Sequence, residues 1–145
     1  IENIERIKSS GRIIFTIEDM DYLKKGGRIG KLLTIASDAL KIRPLIILKE
    51  GEIFPAGISR SRKKAKIKLL ELAKEFFSKN NENLDDYEIV VGTSIDYEEA
   101  EDFKQELATT LNKEITLPIG HIGITIGSHT GPHPIGLGLL KKYDA

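Results

Sequence analysis

Hydrophobic positions along this chain change their period several times, and each change predicts an element. Ile1, Ile4 and Ile7 recur every three residues in a polar stretch, which predicts a helix over Ile1–Ser9. Arg12–Ile17 reads as a short strand, and Glu18–Lys25 as a short helix with Met20 and Leu23 inward, stopped by Gly26-Gly27. A second helix is predicted from Gly30 to Leu40, where Leu32, Leu33, Ile35, Ala36 and Ala39 make a wide apolar stripe. Ile42–Lys49 is almost continuously apolar and predicts a central strand. The turn Glu50-Gly51 then leads into a partner strand, Glu52–Ile58, making a hairpin. Ser61–Phe77 is amphipathic, with Leu69, Leu70, Ala73, Phe76 and Phe77 on the buried side. Tyr87–Gly92 is a strand, and Asp96 caps a helix over Tyr97–Leu111 with Glu99 in the capping-box position. Glu114–Leu117 is read as a further short strand.

The last quarter, Ile119 to Leu140, is the most distinctive stretch. It holds all three histidines and six of the thirteen glycines. So much glycine argues against a helix and so much apolar residue against a loop. The expectation is two strands, Ile122–Ile126 and Ile135–Leu140, joined by a turn over 127–134 that carries His129 and Thr130. Strands mixed with three or four helices, joined by both hairpins and crossovers, predict an α/β fold. Its form is a two-layer sandwich, a mixed β-sheet with helices mainly on one face.

Composition narrows the possibilities. A chain of 145 residues suits one domain with a real core. Its 22 basic and 22 acidic residues balance, so no net field gathers nucleic acid. No apolar run reaches the ~20 residues that a spanning helix needs, so no membrane span is expected. There is no cysteine, which removes disulfides, thiol nucleophiles and thiolate metal sites and fits a cytoplasmic location. The chain opens on Ile1 rather than Met and runs directly into what reads as the tail of a helix, so it is expected to be a fragment whose upstream part is missing. A face left uncovered in that way favours self-association.

Three constellations carry candidate chemistry. In Gly26-Gly27-Arg28-Ile29-Gly30, Arg28 sits between two helices, where its planar guanidinium suits a carboxylate or phosphate. The alternative is a helix–helix turn with a surface arginine. In the turn Ser128-His129-Thr130-Gly131-Pro132, His129 is a donor for an anion and Thr130 orients it; the alternative is a histidine bonded to backbone. His121, His129 and His133 invite a metal reading, but no carboxylate stands among them and their spacing is not that of a helical zinc motif, so no metal or other cofactor is expected. In Arg60-Ser61-Arg62-Lys63-Lys64-Ala65-Lys66, positive charge opens a helix where it is mildly unfavourable, which leaves a solvated face or an acidic partner. No nucleophile elbow or phosphate loop appears, so the chain is not expected to be an enzyme.

Taken in order, DYLKKGGRIG at 21–30, IRPLIILKEGEIFP at 42–55, RSRKKA at 60–65 and IGITIGSHTGP at 122–132 resemble the carboxy-terminal half of the DegV family of fatty-acid-binding proteins. The resemblance implies two α/β domains with one long-chain fatty acid between them, its tail in the half seen here. It implies that Arg28 and His129 lie near the carboxylate, together with a serine/threonine pair from an amino-terminal domain that this chain lacks. Candidate walls for the tail are Ile29, Leu32, Leu33, Ala36, Ile46 and Ile124. Some members present the bound acid to a fatty acid kinase for phospholipid synthesis, which makes Arg60 and Arg62 candidate docking residues. A different reading is an interaction or regulatory module without ligand. The chain departs from the family pattern at His133-Pro134, where glycine and a small residue are usual and a bulkier turn narrows the mouth, and at Thr93-Ser94, where many members carry a histidine.

Overall fold

The computed structural model describes residues 2–18, 20–34 and 42–143. A six-stranded mixed sheet organises the chain. In sequence order the strands are β1 (Arg12–Thr16), β2 (Arg43–Lys49), β3 (Glu52–Ser59), β4 (Tyr87–Thr93), β5 (Gly120–His121) and β6 (Ile135–Lys141). Their order across the sheet is β3-β2-β1-β6-β4-β5. Every pair is antiparallel except β4 with β5.

Alternation along the strands explains the two layers. Ile14, Leu45, Ile89, Val91, Ile135, Leu137 and Leu139 face one side and are buried. Two long helices cover that side: α3 (Arg62–Asn80) and α4 (Tyr97–Leu111), which contribute Leu69, Ala73, Phe103 and Leu107. Among the described residues the opposite side carries short pieces: α2 (Asp21–Lys25), a 3₁₀ turn over Gly30–Thr34, and α5 (Ile124–Thr130). A smaller cluster of Ile17, Met20, Leu23, Leu32, Ile42 and Ile46 anchors the first two of these. The amino-terminal helix α1 (Glu2–Ser10) packs against β6. The sandwich with its long helices on one face is as the periodicity predicts.

Local chemistry accounts for the turns. Glu50 and Gly51 both take positive φ, at 51° and 80°, which is the hairpin turn whose twist suits two antiparallel strands. Ser61 caps α3 by accepting from the Lys64 N–H at 3.2 Å.

Four expectations are corrected. Ile122–Ile126 is not a strand: Ile124–Thr130 forms α5, with Gly123 before it and Gly131, at φ 78°, after it. Glycine brackets that helix and Gly127 lies within it, and the isoleucines on the helix that imitate a strand are surface residues, Ile124 being 89% exposed. Glu114–Leu117 is irregular, and the strand is the two-residue β5. The helix expected from Gly30 begins as a 3₁₀ turn, and its remainder over 35–40 lies outside the described residues. Asp96 precedes α4 but makes no side-chain cap there, because its carboxylate and that of Glu99 are engaged elsewhere.

β6 is asymmetric. Ile135, Leu137 and Leu139 fill the helix side, while Gly136 and Gly138 face the other. A Cβ on Gly136 would lie 2.4 Å from the Ile14 carbonyl oxygen and from Phe15 Cβ, so β1 and β6 meet at a distance only glycine permits. Gly136→Ala should therefore lower stability by about 3 kcal/mol, at the upper end of overpacking costs. Gly127→Ala, whose new methyl meets no atom within 4 Å, should leave stability unchanged or raise it by up to about 1 kcal/mol. Denaturant titration of the two variants distinguishes them.

Candidate functional site

The short helices α2 and α5 touch each other above the sheet face that the long helices leave uncovered. Two glycines make this contact. A Cβ on Gly26 would fall 2.1 Å from His129 Nδ1, and one on Gly131 would fall 2.9 Å from the Tyr22 ring. The Gly-Gly-Arg and His-Thr-Gly stretches are thus packed one on the other. α2 ends with Gly27 at φ 66° and with the Arg28 N–H donating to the Leu23 carbonyl at 2.9 Å, the pattern of a Schellman cap. That reversal projects Arg28, which is exposed, and its Nη1 donates to the Gly26 carbonyl at 2.8 Å. His129 is half-buried; its Nδ1 is fully buried with no hydrogen-bond partner among the described residues.

Beneath this junction lies a cavity of about 510 Å³. Its polar edge is Arg28, His121, His129 and Thr130; its apolar walls include Ile13, Phe15, Leu48, Ile53, Val90 and Ile126; and Gly92, Gly136 and Gly138 make its floor. No acidic side chain lines it among the described residues. The strand register separates the two characters. Gly136 pairs with Phe15 and Gly92 near the histidines, and Gly138 pairs with Ile13 and Val90 farther along. An apolar trough with cationic and neutral donors at one end suits an anion with an apolar body. His121 was not singled out for this edge. Its ring stacks on Tyr97 with an interplanar angle of 4°, and its Nδ1 lies 2.7 Å from the Tyr97 hydroxyl.

Arg28 and His129 therefore line one cavity. Of the six residues named for the tail, the five that are described do not. Leu32 and Ile46 are fully buried in the smaller core cluster, and Ile29 packs beside them. Leu33 is 61% exposed, Ile124 is exposed on α5, and Ala36 lies outside the described residues. Helical and strand periodicity marks residues that face a core, but the cavity walls are strand residues on the other side of the same sheet. Ile13, Phe15 and Val90 alternate with core residues, and only the sheet order brings them together.

The basic cluster is divided. Arg60 is exposed. Arg62 is 19% exposed and turned inward. Its Nη2 lies 2.9 Å from Glu99 Oε2 and 3.4 Å from Asp96 Oδ2, and its Nη1 donates to the His133 carbonyl at 2.6 Å. Lys66 pairs with Glu99 at 3.2 Å, and His133 Nδ1 lies 3.1 Å from Asp96 Oδ2. Thr93 Oγ1 donates to the Pro134 carbonyl at 3.0 Å. The segment 133–134 is thereby tied on three sides, and both departures from the family pattern take part in it. Pro134 forms part of the cavity wall, whereas His133 turns to Asp96 instead. Burial pushes the Glu99 carboxyl up, but the hydrogen bonds and charges of Arg62 and Lys66 outweigh it and hold the group below the usual glutamate range. The described residues include no cluster of side chains suited to a metal ion.

An open α/β sandwich with an apolar, cation-edged cavity on its uncovered face is a scaffold for holding a small molecule. The chain belongs to the DegV family, whose model, described as "Uncharacterised protein, DegV family", matches residues 1–142. Among solved structures it is similar to a stearic acid-binding protein from Eubacterium ventriosum, with 41% identity and a TM-score of 0.92, over 99% of this chain and 48% of that one. It is also similar to a fatty-acid-binding DegV family protein from Thermus thermophilus, with 28% identity and a TM-score of 0.82, over 97% of this chain and 49% of that one. A curated fatty acid-binding protein from Thermotoga maritima is 32% identical over 93% of this chain and 46% of its own length. The chain spans about half the length of the relatives it matches.

A lowered carboxylate pKa stabilises the fold above the unfolded value, ~4.3, and that contribution disappears as pH falls through the folded value. Glu99→Gln should accordingly destabilise the protein at pH 7, and the gap from wild type should close below about pH 4. Arg62→Ala, which leaves two carboxylates without their guanidinium, should cost about 1–3 kcal/mol at pH 7. Urea unfolding at pH 7 and pH 3.5 tests both.

Proposed function

We propose that this chain supplies the tail-holding half of a long-chain fatty-acid-binding protein, with the acyl chain along the trough and the carboxylate at the Arg28–His129 edge. The observation that carries this reading is the 510 Å³ cavity, apolar along its length, with cationic and neutral donors but no acidic side chain at its edge among the described residues. The tail supplies the affinity, at ~0.8 kcal/mol per buried CH₂. Arg28 supplies a permanent charge. His129 supplies its imidazole at the same edge of the cavity. The descriptions of the related structures as fatty-acid-binding proteins support the same assignment. We read the protein as a carrier rather than an enzyme.

The complete site, in this reading, needs a second domain in which serine and threonine hydroxyls complete the carboxylate's partners. Without that cover the isolated chain self-associates through its open face. A fatty acid kinase is the proposed recipient of the bound acid, in the cytoplasm. Among the described residues no helix is long and apolar enough to cross a membrane. Arg60 is the better docking candidate, since Arg62 is committed to Glu99 and Asp96.

Arg28→Ala and His129→Ala in the full-length protein should each weaken palmitic acid binding by about 10- to 100-fold, the worth of one charge-assisted contact. Titration calorimetry measures this, and unchanged affinity in both variants would remove the head-site assignment. Arg60→Glu should leave that affinity intact while slowing phosphorylation of the bound acid by the kinase; an unchanged rate counts against docking through this residue.

A further inference from the structure

The trough does not end with the 510 Å³ cavity. Ile13, Leu48, Gly51, Val90 and Gly138 line that cavity and also a second one of about 760 Å³. The shared residues set the two cavities side by side over the sheet. β6 sets their path. Because Ile135, Leu137 and Leu139 are buried on the helix side, alternation places Gly136, Gly138 and Leu140 on the cavity side. The residues flanking these three on the neighbouring strands form three successive levels. At the first, Gly136 lies between Phe15 and Gly92; at the second, Gly138 lies between Ile13 and Val90. At the third, Leu140 pairs with Glu88 and stands against Gly11, whose Cβ would come 3.4 Å from Leu140 Cδ1. The first two levels have no side chain on β6, with Phe15 beside the first and Ile13 and Val90 on either side of the second. The third has a leucine there and a carboxylate beside it.

We infer that β6 is a ruler for the alkyl chain, with the methyl end stopping at Leu140 and Gly138 as the narrow point the chain passes. This rests on the fatty acid reading above. From Pro134 to Leu140 is six residues, about 20 Å at the rise of a strand. With carbon–carbon bonds of ~1.5 Å, each methylene advances an extended chain by about 1.3 Å, so this distance takes about 15 carbons. Gly138 falls at about the tenth carbon on the same scale. The cavity that Leu140 lines also carries Glu5, Lys8 and Glu88, and an alkyl chain gains nothing from leaving water against such charged groups. The protein therefore selects acids of about 14 to 18 carbons by the length of this gutter, a property of β6 rather than of the head site.

The test measures binding of decanoic and stearic acid to the full-length protein and to Gly138→Val and Leu140→Ala variants. The valine intrudes into the space at Gly138, so stearic acid should bind more weakly by at least about 30-fold while decanoic acid changes by less than about threefold, since only the longer chain loses buried methylenes. Leu140→Ala alters a residue that is 45% exposed, so it should fold normally. It should shift the optimum toward longer acids, read as tighter eicosanoic relative to palmitic acid. A Cβ at 138 would come 3.1 Å from Val90 Cγ1; if that variant fails to fold by circular dichroism, Leu140→Ala alone decides. Equal effects on short and long acids, or an unchanged length preference, overturn the ruler while leaving the carrier reading intact. A wild-type protein that binds neither acid overturns both.

Discussion

The approach of β6 to β1 at Gly136 is the constraint on which the rest of the molecule depends. Two antiparallel strands ordinarily carry side chains on both faces, which keep any helix or ligand a full side chain away from the backbone. Here the central strand of the open sheet keeps Ile135, Leu137 and Leu139 on the helix side and has no side chain at 136 and 138 on the other. Burial on the first face fixes the register. Once the register is fixed, the bare face follows, because a slip of one residue would turn Leu137 outward and bring a glycine into the core. The core and the cavity are two consequences of one alternation.

This explains what the sequence makes legible and what it does not. Long elements with a single period, such as α3, α4 and β4, are plain from pattern because each buries one face in a conventional core, and β2 is plain because its apolar run is buried on both faces. α5 is not, because its apolar residues serve the surface and the cavity rather than a core. Ile126 lines the cavity and Ile124 faces outward, so their spacing carries no helical signal. Arg28 and His129 line one cavity, and in the sequence only the family resemblance, not periodicity, sets them together. The cavity walls were not, since Ile13, Val90 and Leu48 come from three strands whose neighbours are set only by the crossover that inserts β6 between β1 and β4. His121 lacked any signal beyond being a histidine in a glycine-rich stretch.

The charge network at the other end of β6 addresses a different problem. Arg62 opens α3, where the helix dipole disfavours a cation. Its compensation comes from Glu99 and Asp96 at the start of α4, where carboxylates are favoured, so the two helix ends satisfy each other across the layer. The guanidinium also binds the His133 carbonyl, and Thr93 binds the Pro134 carbonyl. A segment that leads from α5 into β6 is thereby fixed to the helix layer before it enters the sheet. The position of His129 over the cavity is set from both sides, by Gly26 of the α2 cap and by this tied segment.

An open trough covers an alkyl chain on one side only. The ~0.8 kcal/mol per methylene applies to removal from water on all sides, so a chain lying in the trough alone realises a fraction of it. The charged walls near Leu140 and the cationic edge at Arg28 bracket the apolar strip at its two ends. In the proposed reading these ends settle where a ligand starts and stops but add nothing along its length. High affinity then demands an apolar cover over the strip, whereas the proposed length preference does not, since the gutter is formed by the strands themselves. On that proposal affinity and selectivity belong to different surfaces, and selectivity rests on a single strand.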